Sequence, residues 1–218
     1  MNNIVRIVFA VIITSVVVSS CQKQDAYNND DWLKEQRKQD SLNRVRIEKT
    51  LIEQAPLLKD FAEKVMPGAV LDDSTGIWYK IHDAGIEDSF DYRIVSTSNG
   101  LAISPRYTEV KYKGTLIKTG SVFEETAEDK TAVFSIGSLI PPWYLALWPE
   151  SLEYNLRNYE IGGFTPKGLK KGAIIELAAP SPYCYDNREQ KNKDGEVTIP
   201  ADSPLHFYIE VIDIRDTK

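Results

Sequence analysis

Five ring-bearing residues of this chain fall where an extended segment meets a turn: Tyr112, Phe123, Trp143, Tyr185 and Phe207. Two aliphatic residues, Leu139 and Ile140, run directly into Pro141-Pro142-Trp143. Proline is excluded from a helix interior but suits the first turn, so this pair marks the start of a short helix with Trp143 in its opening turn. A strand buries one face, and rings carried by several strands can therefore converge. What they can build is a dry apolar cavity, or equally an ordinary core.

Other chemistries find little support. There is no HExxH, CxxC, GxSxG, Walker A or GxGxxG pattern. The two histidines, His82 and His206, lie far apart and fit no metal-ligand spacing. No metal and no cofactor are expected. The formal net charge of -6 leaves no basic stripe to neutralise phosphates, so nucleic acid is not an expected partner.

The elements that must position these rings read as strands. From about Gly76 the hydrophobic period is two: Ile77, Tyr79 and Ile81 alternate with Trp78, Lys80 and His82. Further strand candidates are "EVKYKGTL" around Tyr112, "AVFSI" at 132–136, "AIIELAA" at 173–179 and "LHFYIEVIDI" at 205–214. In the last, Leu205, Phe207, Ile209 and Val211 share one face. Thr119-Gly120 reads as a hairpin turn between Leu116 and Phe123, and Gly114 leaves room where a side chain would otherwise sit. With 218 residues and 42% apolar content, the expectation is one globular domain with an appendage. Its class is α+β: an antiparallel twisted sheet wrapped around a short helix, preceded by an N-terminal helical segment.

The appendage divides into three expected parts. Arg6 precedes an apolar run, Ile7 to Val18, that is too short for a membrane span. It ends in Val18-Ser19-Ser20-Cys21, which resembles a bacterial lipobox. That resemblance implies a signal peptide over 1–20, cleavage before Cys21, and acyl chains such as palmitate on Cys21. Each buried CH₂ adds ~0.8 kcal/mol of membrane affinity. The protein would be lipid-anchored to a bacterial membrane, facing the periplasm or the cell surface. Gln22 and Lys23 do not resemble the Asp that retains lipoproteins at the inner membrane, so the outer membrane is expected. Residues 21–30 read as a polar tether. Residues 31–68 read as helical, either a spacer or a dimerisation arm supporting a homodimer, with a break at Pro56 and a stop at Pro67-Gly68. Cys184 is the one other cysteine besides Cys21; it is read either as a reactive thiol or as a small buried apolar residue.

Four segments, in order, resemble the FK506-binding (FKBP-type) peptidyl-prolyl isomerases. "VKYKGTLIKTGSVFEET" is similar to that family's V-x-Y-x-G-x-L strand and hairpin. "FSIGSLIPPW" is similar to its F-x-L-G…V-I-x-G-W segment, "KKGAIIELAAPSPYCYD" to its I-P-x-x-x-A-Y-G stretch, and "TIPADSPLHFYIEVIDI" to its closing strand. The resemblance covers 76–215, with an insertion at about 148–168 read as an extra helix near a pocket mouth. It implies that Tyr112, Phe123, Trp143 and Phe207 are pocket aromatics, with Trp143 as the floor. Leu139 and Ile140 are the aliphatic pair, the Ile140 N–H donating to substrate, and the Tyr185 hydroxyl holds a bound carbonyl. Glu124 stands where the family has Asp, Ala132 where an aromatic is usual, Pro142 for the Gly before the Trp and Asp186 for the Gly after the tyrosine. The implied partner is a proline-containing segment of an exported protein, and the implied activity is prolyl isomerisation that assists its folding. The alternative is a catalytically weak binding module or scaffold of the cell envelope.

Overall fold

A computed structural model describes residues 29–217. The expected signal peptide, the expected lipobox with Cys21, and the expected tether up to residue 28 lie outside the described residues. A long helix, α1 (Asn29–Val65), comes first. It is followed by β1 (Val70–Asp72), β2 (Ile77–Asp83), β3 (Arg93–Thr97), β4 (Gly100–Ser104), β5 (Tyr107–Leu116), β6 (Val122–Glu125) and β7 (Ala132–Ser135). After these come helix α2 (Pro141–Leu147), β8 (Ser151–Tyr154), β9 (Arg157–Glu160), β10 (Ile174–Ala179), β11 (Gln190–Lys191), β12 (Val197–Ile199) and β13 (Leu205–Arg215).

The chain divides into two units after Leu42. The described part of the first is the opening of α1, mostly exposed, with Lys34 paired to Asp31 and Gln39 bonded to Glu35 across single helical turns.

The second unit, from Asn43 onward, is built on a seven-stranded sheet in the order β1-β2-β10-β13-β5-β6, with β7 also paired to β5. Every pairing is antiparallel. The spine is β13, whose long apolar alternation lets it serve two neighbours at once. Phe207 stands opposite Leu177 of β10 and Gly114 of β5. Leu205, Phe207, Ile209 and Val211 are all buried, as their shared face requires, in one cluster with Trp143, Ala146 and Leu147 of α2. The opposite face of the sheet is covered elsewhere: Ala178 and Trp78 pack with Leu58, Phe61 and Met66 at the end of α1 and just beyond it. The fold is the α+β arrangement expected, an antiparallel sheet against a short helix with a helical segment ahead of it. Pro141 opens α2 and Trp143 lies in its first turn.

Three local expectations differ from what is observed. Pro56 does not break the N-terminal segment; α1 runs through it. The missing N–H orphans the carbonyl of Ile52, and Ile52 and Pro56 both lie on the exposed side, where water can take the bond. Meanwhile Gln54 and Leu58 on either side are anchored in the domain. The insertion at 148–168 is no helix: β8 and β9 form a hairpin whose two-residue loop, Asn155 and Leu156, lies at φ 50 and 60. This is the left-handed pair that a tight hairpin demands. Another hairpin, β3–β4, turns at Ser98-Asn99 ahead of Gly100, a signal the strand reading passed over.

Candidate active site

Trp143 is the centre of the ring cluster. It is 4% exposed, so the indole turns inward from the first turn of α2. Three rings meet it edge to face: Tyr112 at 5.1 Å between centroids, Phe207 at 5.5 Å and Phe134 at 5.8 Å. Such pairs contribute ~0.5–1.5 kcal/mol each beyond their buried area. The Trp143 Nε1–H is buried and has no hydrogen-bond partner.

Phe123 joins through Phe207, their rings T-shaped at 5.9 Å. It reaches that position because the β5 residue its ring lies against is glycine. A Cβ built on Gly114 would lie 2.3 Å from Phe123 Cζ, so any larger residue expels the ring. Phe134 was missed as a site residue. It stands two places along β7 from Ala132, on the same face, and its ring lies 5.9 Å from that of Tyr112. The period-two pattern of 132–136 carried that signal. Ala132 itself pairs with Val110 in the β5–β7 ladder.

The remaining residues form the half-buried rim. Leu139, Ile140 and Tyr185 pack against the same cluster. Ile140 caps α2 at φ -63 and ψ 152, and its carbonyl accepts from the Trp143 N–H at 3.0 Å. Its own N–H donates to no backbone acceptor among the described residues. Tyr185 follows the short turn at Ser181–Tyr183 that closes off β10. Glu124 lies exposed on β6, near Tyr112. Burial first, then the nearby Glu124 carboxylate, push the Tyr112 phenol well above its ordinary range. The Tyr185 phenol is raised too, by burial first and then by Cys184 and Glu124. Both hydroxyls therefore keep their protons and remain donors. Burial also pushes the Cys184 thiol up, which favours the inert reading of that residue over the reactive one.

Of the eight residues singled out in sequence, Tyr112, Phe123, Leu139, Ile140, Trp143, Tyr185 and Phe207 thus share one cluster, and Glu124 lies exposed on the neighbouring β6. Trp143 and Phe207 are buried, and the others are partly open. Two clefts of about 600 and 510 Å³ lie elsewhere. Of the cluster, only Tyr112 borders the first; the second runs among Ile94, Ile103, Trp148 and Tyr159. Among the described residues no three His, Cys, Asp or Glu side chains are arranged to hold a metal ion. The arrangement offers no nucleophile aligned with a base. It offers an aromatic floor, an unpaired backbone donor and two protonated phenols.

Residues 105–212 match the family model described as FKBP-type peptidyl-prolyl cis-trans isomerase. No curated protein matches the chain. Among solved structures, it is similar to FkpA from Escherichia coli, at 22% identity, covering 85% of this chain and 73% of that one with a TM-score of 0.47. It is also similar to a peptidyl-prolyl cis-trans isomerase from Pseudomonas syringae pv. tomato, at 21% identity, covering 78% of this chain and 96% of that one with a TM-score of 0.46.

Proposed function

This chain carries a divergent FKBP-type peptidyl-prolyl cis-trans isomerase domain, and from that premise we propose that it is a lipid-anchored prolyl isomerase assisting the folding of exported proteins. The substrate is a proline-containing segment of such a protein. The observation that carries the catalytic part is the convergence of Tyr112, Phe123, Trp143 and Phe207 beneath the open Ile140 N–H and the Tyr185 hydroxyl.

Rotation about an X–Pro bond is opposed by amide resonance, with a barrier of ~18–20 kcal/mol. The transition state is a twisted amide with reduced charge separation. A dry aromatic site favours it over the planar amide, which water solvates better. In this reading Trp143 is the floor under the prolyl ring, and Phe123 and Phe207 flank it. Leu139 lines the rim. The Ile140 N–H and the Tyr185 hydroxyl hold the flanking carbonyls, and Glu124 orients Tyr112. About 4 kcal/mol of differential stabilisation supplies a thousandfold acceleration.

The test is cis/trans exchange of a short X–Pro peptide. Wild type is expected to exceed background clearly, and Tyr185→Phe to lose about tenfold, the worth of one well-placed hydrogen bond. Exchange no faster than background sinks the isomerase and leaves the alternative: a binding module in the cell envelope, which Ala132 and Asp186 at their departing positions favour. The anchor rests on Cys21 and its lipobox, with the outer membrane as the proposed location. Mass analysis of the mature N-terminus is expected to find an acylated Cys21, and Cys21→Ala to move the protein from the membrane to the soluble fraction. Residues 31–68 serve either as a spacer or as a dimerisation arm, to which exposed Val45 and Ile52 would lend apolar surface.

A further inference from the structure

The loop that carries Tyr185 is tied from both sides to α1. Arg46 grips Asp186, the next residue, with a two-pronged ion pair: Nη1 to Oδ1 at 2.8 Å and Nη2 to Oδ2 at 2.6 Å. Two turns further along α1, Gln54 is 7% exposed and uses both ends of its amide. Its Oε1 accepts from the Ser181 N–H at 2.8 Å, and its Nε2 donates to Ser181 Oγ at 2.8 Å and to the Asp202 carbonyl at 3.1 Å. The loop closes on itself through the same residues. The Asp186 N–H donates to the Ser181 carbonyl at 2.7 Å, and the Asp202 N–H to the Asp186 carbonyl at 2.8 Å.

Asp186 sits at φ 55, in the left-handed region where glycine is favoured. Glycine would meet the backbone demand more easily but would give Arg46 nothing to hold. The carboxylate is the part of this residue with a job in the structure, and a planar guanidinium on a carboxylate fixes orientation as well as distance. We propose that Arg46 and Gln54 are positioning residues for Tyr185, so that α1 sets the pose of the hydroxyl over the prolyl site. This rests on the isomerase reading above.

The test measures kcat/KM on an X–Pro peptide with the full chain. Arg46→Ala and Gln54→Ala are each made in the wild-type and in the Tyr185→Phe background, with thermal unfolding recorded for all. Each is expected to lose about tenfold in the wild-type background, the worth of one misplaced hydrogen bond, and almost nothing once the hydroxyl is gone. Arg46→Lys keeps the charge without the fork and is expected to fall between. No loss, or the same loss in both backgrounds, overturns the proposal, because general destabilisation does not depend on the Tyr185 hydroxyl. Amide exchange separates this failure from that of the isomerase reading. Arg46→Ala is expected to speed exchange at Asp186 and at Arg188, whose N–H donates to the Tyr185 carbonyl at 3.1 Å, while β10 stays protected. Should wild type not catalyse, faster exchange there keeps α1 as the holder of the loop and overturns its catalytic role; unchanged exchange overturns both.

Discussion

His206 and Phe207 are neighbours on β13 and face opposite sides of the sheet, and the two sides are held by different forces. Phe207 enters a cluster of rings packed edge to face around Trp143, where the one polar atom at the centre, Nε1, has no partner. His206, 9% exposed, lies under Phe61 of α1 at 5.0 Å between ring centroids. Its Nδ1 is 3.2 Å from Thr115 Oγ1, and its Nε2 is 3.6 Å from Glu176, whose other oxygen meets His82 at 2.9 Å. The ring side depends on shape and is indifferent to pH, since its phenols titrate above their ordinary range. The histidine side depends on protonation. A single strand thus supports a packed aromatic cluster on one face and a charge-sensitive seat for α1 on the other.

The largest expected way to break this contrast is Trp143→Ala. It removes three ring contacts from a packed core, at a cost of about 3–5 kcal/mol in stability, and reduces isomerisation by the folded fraction to background. Denaturant unfolding and peptide exchange check the two parts, and a destabilised protein that still turns over would put the reaction elsewhere. Gly114→Ala follows. Its Cβ collides with Phe123, so about 1–3 kcal/mol of stability and much of the activity should be lost. In a Phe123→Ala background the same substitution should cost almost nothing further, which tests whether the collision is the cause.

The smallest effect probes the other face. Burial lowers the His206 pKa below 6.5, outweighing the attraction of Glu176. Below 6.5 the unfolded chain takes up a proton that the folded chain refuses until a lower pH, so stability should fall as the solution is acidified through that range. A full unit or more above 6.5 both states are neutral at this site and it contributes no slope. His206→Gln should remove part of that slope, by no more than ~1.4 kcal/mol per pH unit, measured by unfolding between about pH 7.5 and 5.5. The ring cluster should show no matching change over the same interval.

Much of the site was legible because its signals are local. Alternation along 205–214 set which face of β13 is apolar, Pro141-Pro142 marked the start of α2, and Gly114 announced a close approach. The α1 stripe was obscured for an equally clear reason. Arg46, Thr50, Gln54, Leu58 and Ala62 follow one another at intervals of four and all turn inward, but the first three are polar, so an apolar count misses them. The hairpin at 151–160 hid behind Leu156, which is 94% exposed at positive φ, a place where leucine gives no turn signal.

By itself the sequence determined the strand faces, the helix start at Trp143 and the ring residues available, because period, proline and glycine act on the backbone within a few residues. Only the tertiary structure decided that Phe134 closes the ring cluster, that α1 continues past Pro56, and that Arg46 meets Asp186 across 140 residues of chain. Those outcomes depend on sheet register and on which buried groups find partners, and both are settled only when distant segments compete for the same space.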